Sequence, residues 1–147
     1  MASRSGTQVF PRRDADGRVI SLGELLVAAL GGTVVGLAAL VLIDGVFALI
    51  GVGTFGRASG WLAAILPAFL FFDDFRAWRG HGVRILVALV AAVAGIGLGL
   101  LVAGAVRGLP PILSGSVGAA VAALVYSFVW FVGIRWLTGH RTDMESR

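Results

Sequence analysis

Few side chains in this sequence could do chemistry, and the most prominent are two adjacent acids, Asp73 and Asp74, at the end of a strongly apolar run. A carboxylate at membrane depth is costly and marks an ion path, a proton path or a polar partner. Arg76 stands three residues beyond Asp73, close enough on a helix to pair with it, while Asp74 points about 100° away, toward water or Arg79. Asp44 lies at the far end of the first apolar run, either facing a cation or ending the helix at the headgroups. Asp73, Asp74, Arg76 and Asp44 are therefore the candidate ion, proton or polar-partner site.

Other chemistries find less support. His81 and His140 follow Arg76 and Arg135 at matching distances, but both are expected in loops and the chain has no Cys to complete a ligand set. Zinc needs three or four ligands together, and haem between helices needs axial His within the spans. No metal or cofactor is expected. A Ser-His-Asp arrangement, a phosphate-binding Gly loop and a His-Glu-x-x-His pattern are all missing from the sequence, so no enzymatic activity is expected.

The elements that must position these residues are set by composition. Of 147 residues, 58% are hydrophobic and 14% charged, against roughly 25% charged in an ordinary soluble domain. Too little polar surface exists to face water all round, so apolar surface must face lipid. All twelve basic residues are Arg, and they cluster at segment ends, which the positive-inside rule explains better than nucleic-acid binding.

The expected fold is all-α and polytopic, with four transmembrane helices at about 22–43, 61–78, 85–106 and 112–134 forming a domain over 21–137. Residues 1–20 are read as a mobile cytoplasmic tail, with a turn at Asp14-Ala15-Asp16-Gly17, and residues 138–147 as a second polar tail. Ser21 and Glu24 have the spacing of a capping box, which starts the first helix at Leu22. The glycine-rich stretch 45–60 either extends that helix or lies in the interface. The uninterrupted apolar run 61–72 would reach only about 18 Å; continued to Trp78 it reaches about 27 Å, with Pro67 predicting a mid-span kink. Beyond the fourth span, Gly139 is placed to end the helix.

With four crossings, ten arginines fall on one side and only Arg57 and Arg107 on the other, placing both termini in the cytoplasm and the protein in the cell membrane. An internal repeat runs through this arrangement. Phe69, Phe72, Arg76, Gly80 and His81 recur 59 residues later as Phe128, Phe131, Arg135, Gly139 and His140, and Leu26-Val27-Ala28 recurs 60 residues later as Leu86-Val87-Ala88. The halves, about 22–81 and 83–140, would be parallel repeats, each a helical hairpin.

Gly32, Gly36, Gly95, Gly99, Ala103, Gly118 and Ala122 lie at small-xxx-small spacing, which lets helices approach closely in lipid. They outnumber what four helices plainly need. The expected function is a non-catalytic helix-packing subunit whose partners are the bilayer and either itself or another membrane protein. The alternative is a small ion or solute transporter or channel using Asp73 and Asp74.

Overall fold

The computed structural model describes residues 10–79 and 82–145, with side chains described as far as residue 139. The described residues form α1 (Leu22–Leu49), a 3-10 helix (Gly60–Ala64), α2 (Ile65–Ala77), α3 (Val83–Ala105) and α4 (Pro111–Glu145), with no strand. α1, α3 and the Pro111–Gly139 part of α4 are long and apolar enough to cross a membrane.

α1 begins at Leu22, but not through a capping box. The Ser21 hydroxyl makes no cap bond, and Glu24 is instead held by Arg12, whose backbone N–H and Nε donate to it at 2.7 and 2.6 Å. A nearby guanidinium offers a carboxylate a stronger, charge-assisted partner than a backbone amide does. The helix then continues past Ile43 to Leu49, so residues 46–49 extend it. Asp44 does not stop it, because its carboxylate accepts from the Gly56 N–H at 2.5 Å and is satisfied by the returning loop. That return needs residues at positive φ, supplied by Gly51, Gly53 and Gly56.

The chain comes back antiparallel to α1. A methyl added at Gly36 would lie 2.6 Å from the Ala63 carbonyl oxygen, and one at Gly32 would lie 3.3 Å from Pro67. Pro67 is the third residue of α2, where its missing amide is one of the unpaired first-turn groups. Pro67 therefore falls in a first turn and not in mid-helix as expected, and the helix geometry changes from 3-10 to α at Ala64 and Ile65.

α3 and α4 pack still closer. Methyls at Gly95 and Gly99 would meet the carbonyl oxygens of Ala122 and Gly118 at 2.7 and 2.5 Å, and one at Gly118 would touch Ala103 Cβ at 2.9 Å. The Trp61 ring closes over Gly99 and Gly118. All seven small residues expected to pack helices are thus engaged within one chain. Gly31, Gly97 and Gly104 are helical glycines left with open space around them. α4 also runs on through Gly139 to Glu145, so Gly139 does not end the helix as expected and residues 138–145 of the polar tail continue it.

Candidate functional site

The buried cluster Val19, Leu25, Trp78, Val87, Ala91, Trp130 and Ile134 sits at one end of the bundle, and its first member comes from outside the helices. Residues 10–20 fold as a small hairpin with an isolated antiparallel bridge between Arg13 and Val19. Its turn is closed by Asp14, whose Oδ1 accepts from the Asp16 and Arg18 amides at 3.0 and 2.8 Å, with Gly17 at φ +83°. This part of the expected mobile tail is therefore an ordered, docked element. Residues 1–9 lie outside the described residues.

What holds the hairpin down is Asp74. The residue is 3% exposed, on the inner face of α2. Its Oδ1 accepts from the Val19 N–H at 2.9 Å, and its Oδ2 accepts from the Trp130 Nε1–H of α4 at 2.6 Å. Arg13 Nη1 approaches Oδ1 at 3.8 Å while donating to the Gly17 carbonyl at 2.7 Å. Arg135 completes the set by donating through Nη2 to the Val19 carbonyl at 2.6 Å. Both backbone groups of Val19 are thus used, one toward α2 and the other toward α4.

Burying a carboxylate is unfavourable unless its lone pairs are filled, and here two short bonds and a nearby guanidinium fill them. Rings pack around the site. Phe75 lies 5.8 Å from Trp130, Tyr126 stacks on Trp130 at 6.3 Å, and Phe71 meets Tyr126 at 4.4 Å. Arg18 sits 4.5 Å above the Trp78 ring and pairs with Asp16 at 3.3 Å, pinning the outer side of the hairpin.

The four candidate residues are not brought together. Asp73 is exposed and forms no ion pair with Arg76; Arg76 lies over the Phe72 ring at 5.6 Å. Asp74 meets neither Arg79 nor bulk water. Asp44 is near the other end of α1, holding Gly56. Removing that acceptor by Asp44→Ala should cost about 1–2 kcal/mol, confined to the loop. Hydrogen exchange is expected to show faster exchange at Gly56 and unchanged rates in α3 and α4.

Two grooves beside α2 do not lead to Asp74. Both are apolar, one lined by Phe71, Phe72, Phe75 and Ala88, the other by Trp61, Pro67, Gly95 and Ala119, and Asp74 lines neither. Among the described residues no three His, Asp or Glu side chains gather as a metal site would need. His81 and the side chain of His140 lie outside the described residues.

The sequence reading missed Val19, Arg13 and Trp130 as partners of Asp74, and Arg135 as the partner of the Val19 carbonyl. One signal was available: Trp130, whose ring N–H needs an acceptor when buried deep in a span. The arrangement defines a helical membrane protein in which the one carboxylate buried among the described residues fastens the 10–20 segment to the bundle. Compared with protein-family models, curated proteins and solved structures, the chain matches none.

Proposed function

We propose that the chain is a small multi-pass protein of the cell membrane that acts as a non-catalytic helix-packing subunit, as a homo-oligomer or as an accessory of a larger membrane complex. The observation that carries this reading is the state of Asp74. The acid best placed to serve an ion or proton path is buried, with both oxygens bonded to the chain's own Val19 and Trp130. A transport path needs charged or several polar groups facing a cavity, whereas the grooves beside α2 are lined by apolar side chains with Tyr126 as their polar residue.

Four crossings with both termini cytoplasmic fit this reading. The 3-10 helix and α2 together give 18 residues, roughly 27–30 Å long, lying antiparallel along α1. The ten-to-two division of arginines then orients the whole. The doubled hairpin is supported by contacts as well as by letters. Gly36 against Ala63 and Gly95 against Ala122 are the same close approach to a carbonyl oxygen, both residues being displaced by 59. Arg76 over Phe72 and Arg135 over Phe131 repeat at the same displacement.

Purification from the native host in mild detergent tests the subunit reading. The expected result is an assembly heavier than one chain, with liposomes carrying it no leakier to ions than empty ones. A lone chain that moves an ion, and loses that activity on Asp73→Asn, would establish the transporter instead.

A further inference from the structure

α1 closes on both α2 and α4, whereas the backbones of α2 and α3 largely stay apart and meet through the Arg84 side chain over Phe75. Between them runs an apolar groove of about 490 Å³, continued by a second of about 280 Å³ that shares Ala68, Phe71, Ala92 and Tyr126 with the first. Along α3 the lining extends from Ile85 to Ile96, about 17 Å of helix. Ala88, Ala92 and Gly95 keep its α3 side shallow, and Phe71, Phe72 and Phe75 wall its α2 side. An empty groove of this size forfeits dispersion contacts along its whole lining.

One end of the groove is charged. Phe72 and Phe75 carry guanidinium groups on their faces, Arg76 over Phe72 at 5.6 Å and Arg84 over Phe75 at 4.7 Å. Most of the arginines around this end already have partners: Arg12 has Glu24, Arg13 has Asp74, Arg18 has Asp16 and Arg135 has the Val19 carbonyl. Arg76 and Arg84 form no ion pair among the described residues. The neighbouring acid, Asp73, is turned about 100° around α2 from Phe72.

The geometry points to a phospholipid site, in which one acyl chain of an anionic lipid fills the α2/α3 groove and its phosphate is bound by Arg76 and Arg84. Arginine suits this task, because its planar donors match phosphate oxygens and its face stays stacked on the ring below. A second copy of the chain is a poor occupant, since its own arginine-rich end would be brought against these two cations. This inference goes beyond the subunit reading and does not depend on it.

The test is native mass spectrometry of the protein released from nanodiscs containing equal amounts of phosphatidylglycerol and phosphatidylcholine. The wild type is expected to retain phosphatidylglycerol about thirtyfold over phosphatidylcholine, the effect of two arginines near a membrane surface. Arg76→Gln with Arg84→Gln should bring that preference close to one while the protein stays monodisperse with the same helix content. Ala88→Trp should abolish retention by filling the groove. Equal retention of the two lipids by the wild type would overturn the proposal, as would a preference that survives the double Gln variant. So would complete displacement of the lipid by millimolar inorganic phosphate, or a disulfide between two chains each carrying Ala92→Cys.

Discussion

Asp74→Ala is expected to release residues 10–20 from the bundle, so that trypsin cleaves after Arg13 and Arg18 about a hundredfold faster than in the wild type. The variant strands the Val19 amide and the Trp130 indole N–H and leaves Arg13 without its carboxylate. Breaking a buried charged arrangement from one side costs about 3 kcal/mol or more. At 1.4 kcal/mol per factor of ten, that is about a hundredfold in the population of the undocked hairpin, which proteolysis reads when opening is fast relative to cleavage. Asp74→Asn keeps the shape but turns an amide NH2 toward one of the two donors, so it should fall between Ala and wild type. Asp73→Ala, at an exposed position without an ion pair, should change nothing. Equal cleavage in wild type and Asp74→Ala would mean that the hairpin is not held where its hydrogen bonds place it.

Gly60→Ala should prevent stable assembly of the bundle, while Gly97→Ala should leave it unharmed. A methyl at Gly60 would overlap the Ile112 carbonyl oxygen and the Ser116 amide nitrogen, both backbone atoms that no rotamer change can move. The approach is also fixed from the other side, because the Ser116 hydroxyl donates to the Gly60 carbonyl at 3.3 Å. The 3-10 helix and α4 would have to separate, at the upper end of overpacking costs, about 3 kcal/mol. At Gly97 the added methyl meets nothing within 4 Å. Replacing a helical glycine there removes backbone freedom from the unfolded state and gains about 0.5–1 kcal/mol in helix preference. Thermal midpoints in one detergent, read by helix content, compare the two directly. A Gly60→Ala protein as stable as Gly97→Ala would contradict the close packing of the 3-10 helix on α4.

Helix content and most boundaries were legible in the sequence because lipid imposes one strong rule: long apolar runs must hydrogen-bond within themselves. That rule located α1, α3 and α4 to within a few residues at their N-terminal ends. It also placed the C-terminal end of α3 to within a residue, but not those of α1 and α4. Asp44 and Gly139 looked like stops, but the first is satisfied from a distant loop and the second is simply tolerated inside α4. Pro67 was read as a kink because the 3-10 start of its segment, which moves Pro67 into a first turn, leaves no periodic signature in the letters.

The candidate site was half legible. Asp74 could be singled out by the cost of its charge, but its role depended on partners 55 and 56 residues away and on a hairpin whose order comes from docking. A short polar segment rich in Arg, Asp and Gly reads as a mobile tail by composition. Here three of its arginines find Glu24, Asp74 and the Trp78 ring, and its Val19 enters the core. The small-residue faces were visible as spacing, but which helices they serve was not. Close approaches such as Gly36 to Ala63 and Gly95 to Ala122 assign them to α1 against the 60–77 segment and to α3 against α4.

The four-crossing architecture requires α2 to cross the bilayer beside α1, although its 13 residues are α-helical only after a 3-10 start. Single cysteines are clean probes in a chain that has none, placed at Ala15, Gly53, Arg79 and Gly108 and reacted with a membrane-impermeant maleimide on sealed, oriented vesicles. Ala15→Cys and Arg79→Cys are expected to label from one side, and Gly53→Cys and Gly108→Cys from the other. Labelling of Arg79→Cys from the same side as Gly53→Cys would show that α2 does not cross, and would contradict the four-crossing architecture on which the proposed function stands.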